Sequence, residues 1–516
     1  MVQRINGADL LDALCATDRQ LALLDLRTPA ERAAGHIVVS AGLSYHDVEQ
    51  HISNLVPHET TPIVLAGSPE VDERGALLLE QLGYRDVTVL DNGVDGWKSA
   101  GGRIYTGTNV RSKTLGEWIE ETYSTPTVES ATVAAWQAAG EKVVILDTRT
   151  PAEYAHHHIP GGYDTGGGAE VTYRAQQVID DPTTKVVVNC QGRTRGIVGA
   201  QSLINTGIAN PVFSLHNGTP AWQWAGQPLD FGPGPQAPAP VDVSPDVPAW
   251  ARRAFSDAGT ELLTSAEAQG HLDDETSTTY LLDVRSPGEF SAGHYAAAVS
   301  APGGQLVQAT DEFVAVRRSR LVLVDTADLV RSANTVQWLR FLHDGPLAVV
   351  VFDPTLELVR WKRWSLTLPV RHRVTWQELS QWDSRVDVRL VDVRASHRYA
   401  AGHVAGSLHA RREHLDEIVS RGARVVLIGD GDFAAEYLAA DARGDIWVLD
   451  GGIDAVPEEL VTANPLYAGE VVDRTGAPEF GPERDAWYAA YFEWELSLLR
   501  ESEGDPFFDF AAVAGT

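Results

Sequence analysis

The stretch that decides the fold is Val186-Val187-Val188-Asn189-Cys190-Gln191-Gly192-Arg193-Thr194-Arg195-Gly196. Its apolar beginning predicts a buried strand, and the residues after it, 197–203, predict the start of a helix. A thiol between a strand end and a helix N-terminus faces unpaired backbone N–H groups and the positive end of the helix dipole. Because these groups and the two arginines favour thiolate over thiol, we predict that Cys190 is a nucleophile.

The composition limits the classes of protein to which the chain can belong. Its 516 residues exceed a single core and predict about three to five domains of ~100–150 residues. The formal net charge of −30 argues against a nucleic-acid or membrane partner, since phosphate binding needs a basic face. An anionic substrate would therefore need a locally basic pocket, which Arg193 and Arg195 could supply.

The cysteine count and the apolar segments indicate where the protein works. Two cysteines exclude a disulfide scaffold, and no cluster of residues has the spacing of zinc ligands. The first ten residues lack the apolar core of a signal peptide, and no apolar stretch approaches the ~20 residues that span a bilayer. We expect a cytoplasmic protein without a metal centre.

An internal repeat organises the chain. Four times an apolar run leads into Asp-x-Arg and then, after a short turn, into a histidine; the Asp-x-Arg pairs are Asp25/Arg27, Asp147/Arg149, Asp283/Arg285 and Asp392/Arg394. The apolar runs indicate buried parallel strands and the stretches between them indicate helices, so each copy is predicted to be an α/β unit. The copies are too long for a solenoid unit of ~20–50 residues, which makes them tandem domains.

Linker-like stretches in the sequence predict the domain boundaries. A proline-rich linker at 231–240 separates the second copy from the third, and less distinct joints lie near residues 108 and 370. The predicted domains are 1–108, 109–231, 250–369 and 370–467, followed by a helical tail at 468–516.

In that tail Trp487, Tyr491, Trp494 and Leu498 follow helical spacing and should be buried. Core packing is the default role of the tail; the sharper hypothesis is that it lies across the Cys190 pocket or a domain interface and restricts sulfur acceptors.

Together the Asp-x-Arg motif, the His-Ile-Pro-Gly turn at 158–161, the cysteine loop and the Asn-Gly turn before Trp222 resemble the rhodanese family of sulfurtransferases. The resemblance covers residues 1–467 and implies four tandem domains, each a parallel sheet flanked by helices. It implies that Cys190 accepts sulfur as a persulfide and that the donor is bound by Gln191, Gly192, Arg193, Thr194, Arg195 and Gly196. It places Ala66, Asp325 and either Gly429 or Asp430 where the other domains would need the cysteine, so those three are expected to be inactive. No metal or organic cofactor is implied.

The length of the cysteine loop favours sulfur chemistry. Cys190 to Arg195 is six residues, as in sulfur-handling rhodaneses, whereas related phosphatases have a loop one residue longer, and Gly196 stands at their arginine position. In mercaptopyruvate sulfurtransferases this loop resembles Cys-Gly-Ser-Gly-Val-Thr. The two arginines of the present loop depart from that pattern and favour thiosulfate as donor.

Other charged residues near the motif are predicted to support the structure. Asp147, Arg149 and Glu153 recur in copies without the cysteine, which indicates an ion pair that pins the first loop to the sheet. The run His156-His157-His158 is interpreted as structural rather than metal-binding, with a secondary chance that one of the three lines the pocket, because adjacent histidines point in different directions.

Two classes of function remain open from the sequence. The first is an enzyme, a thiosulfate sulfurtransferase that passes sulfur from a small anionic donor to a thiol or cyanide, or alternatively a mercaptopyruvate sulfurtransferase. The second is a relay or scaffold protein, in which Cys190 passes persulfide sulfur between protein partners and the inactive domains bind them. Both classes need the same thiolate, so the loop does not separate them.

Overall fold

A computed structural model shows the protein as a succession of α/β units. The structure describes residues 2–16, 19–241, 243–359, 372–383, 387–419, 424–431, 434–441, 444–463, 473, 475–478 and 480–515. Within these ranges four parallel sheets follow one another along the chain, each flanked by helices, and helices close the C-terminus. The predicted α/β class with repeated units is thereby confirmed. The predicted joint near residue 370 lies outside the described residues.

The first unit contains β1 (Gln3–Ile5), α1 (Gly7–Cys15), β2 (Leu21–Asp25), α2 (Pro29–Ala34), β3 (Ala41–Gly42), α3 (Val48–Leu55), β4 (Ile63–Leu65), α4 (Pro69–Gln81), β5 (Val87–Leu90) and α5 (Gly93–Ser99). Its strands run in the order β1-β5-β4-β2, with β3 beside β2. A helix, α6 (Val110–Tyr123), then leads into the second unit.

The second unit contains β6 (Thr127–Val128), α7 (Ser130–Ala138), β7 (Val143–Asp147), α8 (Pro151–His156), β8 (Tyr163–Asp164), α9 (Glu170–Arg174), β9 (Lys185–Asn189), α10 (Thr194–Asn205), β10 (Val212–Leu215) and α11 (Gly218–Trp224). The sheet order is β6-β10-β9-β7-β8. Strand β9, which delivers Cys190, is therefore central, and its core positions Val186, Val187 and Val188 are fully buried. Each buried valine stabilises the fold by about 1.5–3 kcal/mol relative to an exposed one.

The third unit contains α12 (Ala249–Asp257), β11 (Glu261–Leu263), α13 (Ser265–Leu272), β12 (Thr279–Asp283), α14 (Pro287–Ala292), β13 (Val299–Ser300), α15 (Gly303–Gln308), α16 (Thr310–Phe313), β14 (Val316–Arg317), β15 (Arg320–Asp325), α17 (Val330–Leu339) and β16 (Leu347–Val351). Its own sheet has the order β11-β16-β15-β12-β13, the same connectivity as the second sheet. Strand β14 leaves this unit and pairs antiparallel with β2 at the edge of the first sheet.

The fourth unit contains β17 (His372–Val374), α18 (Trp376–Leu379), β18 (Val388–Asp392), α19 (Ser396–Ala401), β19 (His403–Val404), β20 (Leu408–His409), α20 (Arg412–Val419), β21 (Arg424–Ile428), α21 (Ala434–Asp441), β22 (Ile446–Leu449) and β23 (Val461–Thr462). Its sheet repeats the order, β17-β22-β21-β18-β20, while β19 and β23 form a separate antiparallel pair.

Two features tie the units to one another. The linker at 231–240 is docked on the second unit, where the backbone carbonyl of Pro235 accepts from the Asp164 amide and the Ala237 amide donates to the Asp164 carbonyl. The C-terminal helices are α22 (Pro482–Glu501) and α23 (Phe510–Ala514). Leu498 of α22 and Phe510 of α23 join one apolar cluster with residues of the first and third units, so the tail is part of the core.

No helix in the described ranges is long and apolar enough to cross a membrane.

Candidate active site

Cys190 lies at the first position after β9, and α10 begins four residues later at Thr194. Its side chain is almost completely buried, at 2 % exposure. The neighbouring Asn189 anchors the strand end, because its side-chain amide donates to Asp147 Oδ2 and to Thr219 Oγ1, each at 3.1 Å. The thiol is thereby fixed at the carboxyl end of a central strand, as the sequence predicted.

The sulfur of Cys190 sits in a small cradle of backbone amides. The N–H groups of Gly192 and Gly196 each donate to Sγ at 3.3 Å. Burial nevertheless raises the pKa of the Cys190 thiol, and the positive charge of Arg195 and the two amides offset this only in part. The two amides and Arg195 thus act on the pKa in the expected direction and favour the thiolate, while desolvation of the anion opposes them.

Arg195 is the arginine whose charge acts on the Cys190 sulfur. Its guanidinium binds both oxygens of Glu153, at 2.8 and 2.7 Å, and it is among the groups whose charge stabilises a Cys190 thiolate. Burial alone would raise the pKa of Glu153, but Arg195 and Thr150 lower it to about 2. Glu153 also caps α8 with Thr150, so one carboxylate joins the first loop of the unit to the cysteine loop.

Arg193 does not take the position that the sequence suggested. Its Nε and Nη2 bind the two oxygens of Glu117 at 2.8 Å each, and it also bonds Glu120 and the side chain of Asn217. The guanidinium is directed at α6 rather than at the thiol. The prediction that Arg193 holds the donor anion is corrected on this geometry, since bidentate pairing with a buried carboxylate occupies its donors. Burial raises the pKa of Glu117 to about 7, even though Arg193 opposes the shift.

Asp147 and Arg149 form a buried ion pair, and its purely structural role stays a prediction. Arg149 is fully buried and binds Asp147 through Nε and Nη2, and its Nη2 also donates to the His157 carbonyl at 2.6 Å. Its Nη1 donates to Gln191 Oε1 at 2.7 Å, which connects the pair to the cysteine loop. Glu153 belongs to a separate ion pair, with Arg195.

The three consecutive histidines are spread over different environments. His156 and His157 contact each other through Nδ1 at 2.8 Å, whereas His158 stacks on Tyr154. Burial, together with the charge of Arg149, lowers the pKa of His157 to about 3, so this ring is neutral. In the described ranges no group of three or more His, Cys, Asp or Glu side chains is arranged to hold a metal ion.

The C-terminal helix α22 covers the cysteine loop. Gln191 Nε2 donates to the Tyr488 hydroxyl at 2.7 Å, and Thr194 Oγ1 donates to Glu495 Oε1 at 2.6 Å. Tyr491 lies over Gly192, where an added Cβ would make ordinary van der Waals contact with its ring at 3.4 Å. The hypothesis that the tail lies across the Cys190 pocket agrees with this placement; restriction of acceptors remains a prediction.

The tail also shows which site residues sequence reasoning missed. Tyr488 and Glu495 face the loop and are buried, while Trp487, Tyr491 and Trp494, which were predicted to be buried, are only partly so. The available signal was the i, i+4, i+7 spacing of Tyr488, Phe492 and Glu495, which sets a carboxylate on the buried face of an amphipathic helix. Glu117 on α6 was missed because nothing local links it to Arg193.

Strand register identifies the residues that stand at the position of Cys190 in the other units. Asp147 pairs with Asn189, Asp283 with Val324 and Asp392 with Ile428, so the next residues, Asp325 and Gly429, correspond to Cys190. In the first unit Leu24 pairs with Leu65, as Leu146 pairs with Val188, which makes Gly67 the counterpart and not Ala66. The turn contacts agree, since Thr219 donates to the Cys190 carbonyl as Val94 does to that of Gly67. The choice of Ala66 is thus corrected by one residue.

Comparison with known proteins gives the same picture. The model of the Rhodanese-like domain matches residues 7–100, 130–225 and 375–459. A thiosulfate sulfurtransferase from Pseudomonas aeruginosa is 35% identical, with a TM-score of 0.89 over 98% of this chain and 99% of that one. The similarity to this solved structure thus includes the third sheet, which the family model does not match, and the C-terminal helices.

More distant solved structures also match. An anaerobic ergothioneine biosynthesis enzyme from Chlorobium limicola is 15% identical, covering 90% of this chain and 100% of that one, with a TM-score of 0.23. A protein from Anabaena sp. is 24% identical over 20% of this chain and 92% of its own, with a TM-score of 0.19.

Proposed function

The chain belongs to the rhodanese-like family of sulfurtransferases, and on that premise we propose that it is a thiosulfate sulfurtransferase that works through a persulfide on Cys190. The observation that carries the proposal is the sulfur cradle, in which Sγ accepts hydrogen bonds from the Gly192 and Gly196 amides at a helix N-terminus. The similarity to the Pseudomonas aeruginosa thiosulfate sulfurtransferase supports thiosulfate as the donor.

The first half-reaction loads the cysteine. The Cys190 thiol first gives up its proton to water. The thiolate attacks the outer sulfur of thiosulfate, a new S–S bond forms, and the old S–S bond breaks with its electron pair on sulfite. The product is a persulfide anion, Cys190–S–S⁻, so the charge is balanced on both sides. The amides of the cradle and the charge of Arg195 stabilise this anion in the buried site.

The second half-reaction returns the cysteine to its starting state. A thiophilic acceptor attacks the terminal sulfur, and the electron pair of the broken S–S bond goes back to Cys190. Cyanide would leave as thiocyanate, and a thiol would leave as its persulfide. The cycle needs no metal or organic cofactor and predicts ping-pong kinetics.

The burial of Cys190 supports an enzyme over a relay. A thiol that is 2 % exposed beneath α22 suits small donors and acceptors, whereas a protein partner would have to displace the helix to reach it. The alternative of a relay or scaffold keeps its support from the three units that have no cysteine at the position of Cys190. We assign no nucleic-acid or membrane partner, and we propose a cytoplasmic location.

The test is sulfur uptake by the full chain. After incubation with thiosulfate alone, intact mass should show a gain of one sulfur in the wild type and in Cys15→Ser, and none in Cys190→Ser. Cys15 is exposed and provides the matched control. Steady-state transfer to cyanide should fall at least 10³-fold in Cys190→Ser, since the nucleophile is lost.

The other outcomes separate the alternatives. Faster turnover of mercaptopyruvate than of thiosulfate would identify a mercaptopyruvate sulfurtransferase. No uptake from either small donor would refute the enzyme and leave the relay.

A further inference from the structure

The C-terminal helix α22 holds the cysteine loop at three successive points. The contacts are the pairs Tyr488/Gln191, Tyr491/Gly192 and Glu495/Thr194. The first and the last are hydrogen bonds between side chains that stand 297 and 301 positions apart in the chain. The sulfur cycle described above uses none of the three tail residues, although they fasten the segment between the sulfur and α10.

The side chain of Gln191 is held on both sides of its amide group. Its Nε2 donates to the Tyr488 hydroxyl at 2.7 Å, and its Oε1 accepts from Arg149 Nη1 at 2.7 Å. The His157 ring also hydrogen-bonds this side chain. Tyr488 is 6 % exposed, and the Arg484 side chain is a second hydrogen-bond partner of its hydroxyl. Gln191 therefore has two anchors in its own unit and one in the tail.

Gln191 also carries the peptide group that is bonded to the sulfur. The amide that joins Gln191 to Gly192 supplies the N–H that donates to Cys190 Sγ at 3.3 Å. On one side of this peptide lies the turn of Gly218, where an added Cβ would come within 2.6 Å of the Gly192 carbonyl oxygen. On the other side lies the Tyr491 ring. The direction of this N–H thus depends on the turn, on the tail and on the anchors of Gln191.

We propose that Tyr488 is a positioning residue for sulfur transfer: through Gln191 it keeps the Gly192 N–H directed at the thiolate. The inference rests on the proposed function and adds the tail to the machinery of that site. Alignment matters because a hydrogen bond weakens steeply as its angle falls. Burial of Cys190 increases the effect, since no water replaces a donor that turns away from a desolvated anion. Sulfur transfer in the second unit thereby depends on a helix at the far end of the chain.

The first measurement is the acidity of the Cys190 thiol in Tyr488→Phe. The variants are made in the full chain with Cys15→Ser, which leaves Cys190 as the only cysteine. Its alkylation by iodoacetamide is followed by intact mass from about pH 6 to 10, and the midpoint of the profile reports the pKa of the thiol because only the thiolate reacts.

The direction of the shift separates positioning from simple attachment. Loss of an aligned donor should raise the midpoint by about 0.5–1 pH unit. A helix that is merely loosened admits water and should lower the midpoint, because hydration removes the desolvation that raises the pKa of Cys190.

The matched control is Asp485→Ala, which loosens the same helix without touching the cysteine loop. Asp485 is exposed, and its Oδ1 accepts from Trp224 Nε1 at 2.9 Å, a bond that fastens α22 to α11. Its midpoint should not rise. Gln191→Leu removes the contact from the side of the loop and should raise the midpoint as well. Adding Tyr488→Phe to Gln191→Leu should raise it no further, since both changes break the same bond.

Sulfur loading from thiosulfate is measured separately at neutral pH. The rate in Tyr488→Phe should fall about 3- to 10-fold, in step with the smaller fraction of thiolate. Asp485→Ala should load like the parent chain. A parent chain that takes up no sulfur would refute the proposed function, and the alkylation profiles would still decide the role of Tyr488.

Three results would overturn the inference. They are an unchanged or lowered midpoint in Tyr488→Phe or in Gln191→Leu, an equal rise in Asp485→Ala, and additive shifts in the double variant. Each would show that Tyr488 only fastens α22 to the loop, and so would a Tyr488→Phe chain that does not fold.

Discussion

The loops that follow β9 and β15 are built on the same frame and hold different anions. Each unit has an Asp-x-Arg pair, Asp147/Arg149 and Asp283/Arg285, with nearly the same hydrogen bonds. Each also has a capping glutamate bound to an arginine at the start of the following helix, Glu153 with Arg195 and Glu289 with Arg331. The frame is therefore independent of the cysteine.

The difference lies in what fills the cradle. In the second unit it holds the Cys190 sulfur with two amide donors. In the third it holds the Asp325 carboxylate, which accepts from the Thr326 and Ser332 amides at 2.8 and 2.7 Å and from Arg331 Nε at 3.1 Å. Glu170 from the second unit adds a further carboxylate on Arg331 at 3.0 Å. The third loop therefore carries its own anion in the cradle and, through Arg331 and Glu170, forms a contact between two units.

The strongest way to break the comparison is to move the thiol. In a Cys190→Ser/Asp325→Cys double variant we expect no sulfur uptake from thiosulfate. The loop from position 325 to Arg331 is one residue longer than that from Cys190 to Arg195, and Glu170 and Glu289 bring negative charge to the arginine that would repel a dianion. Intact mass after donor treatment measures the result, and a gain of one sulfur would show that the cysteine alone distinguishes the two loops.

A second test removes the cation from the third loop. Arg331 has no exposed side-chain surface and is bound to Asp325, Glu170 and Glu289. Arg331→Met leaves these carboxylates without their counterion and should lower the free energy of unfolding by about 3–5 kcal/mol, measured by urea denaturation. Arg320→Met is the control, since its ion pair with Glu261 is exposed and should contribute about 1 kcal/mol or less. Similar small losses for both variants would contradict a structural role for the Arg331 cluster.

The smallest expected effect is the contribution of Glu153 and Glu289 to the pH dependence of stability. Burial opposes ionisation of Glu153 and Glu289, yet their arginines lower both pKa values to about 2. Because these folded-state pKa values are below the ordinary value of 4.5, the stabilisation is present above pH 4.5 and is lost as the pH falls toward 2. The carboxylates are 38% and 35% exposed, so each contributes about 1 kcal/mol.

Glutamine variants measure that contribution. Between pH 5 and 3 the unfolding free energy of Glu153→Gln and of Glu289→Gln should change less with pH than that of the wild type. At pH 7 Glu153→Gln should lose more, because Arg331 keeps Asp325 and Glu170 when Glu289 is replaced. Equal losses of unfolding free energy at pH 7 would show that Asp325 and Glu170 do not compensate for the loss of Glu289.

The sequence by itself determined the repeated α/β units and the place of Cys190. Alternation of apolar runs with helical stretches and the strand–loop–helix around the cysteine are local patterns, and local patterns survive folding unchanged. The same is true of Asp147 with Arg149, which are two residues apart.

The tertiary structure decided everything that depends on residues far apart in the chain. Thr194 and Glu495 are 301 positions apart, and Arg193 and Glu117 are 76 apart, so nothing local indicates either bond. The shift from Ala66 to Gly67 needed the pairing register of two strands. The raised pKa of Cys190 needed the burial around the cysteine loop, because desolvation is set by what packs around a thiol and not by its neighbours in sequence.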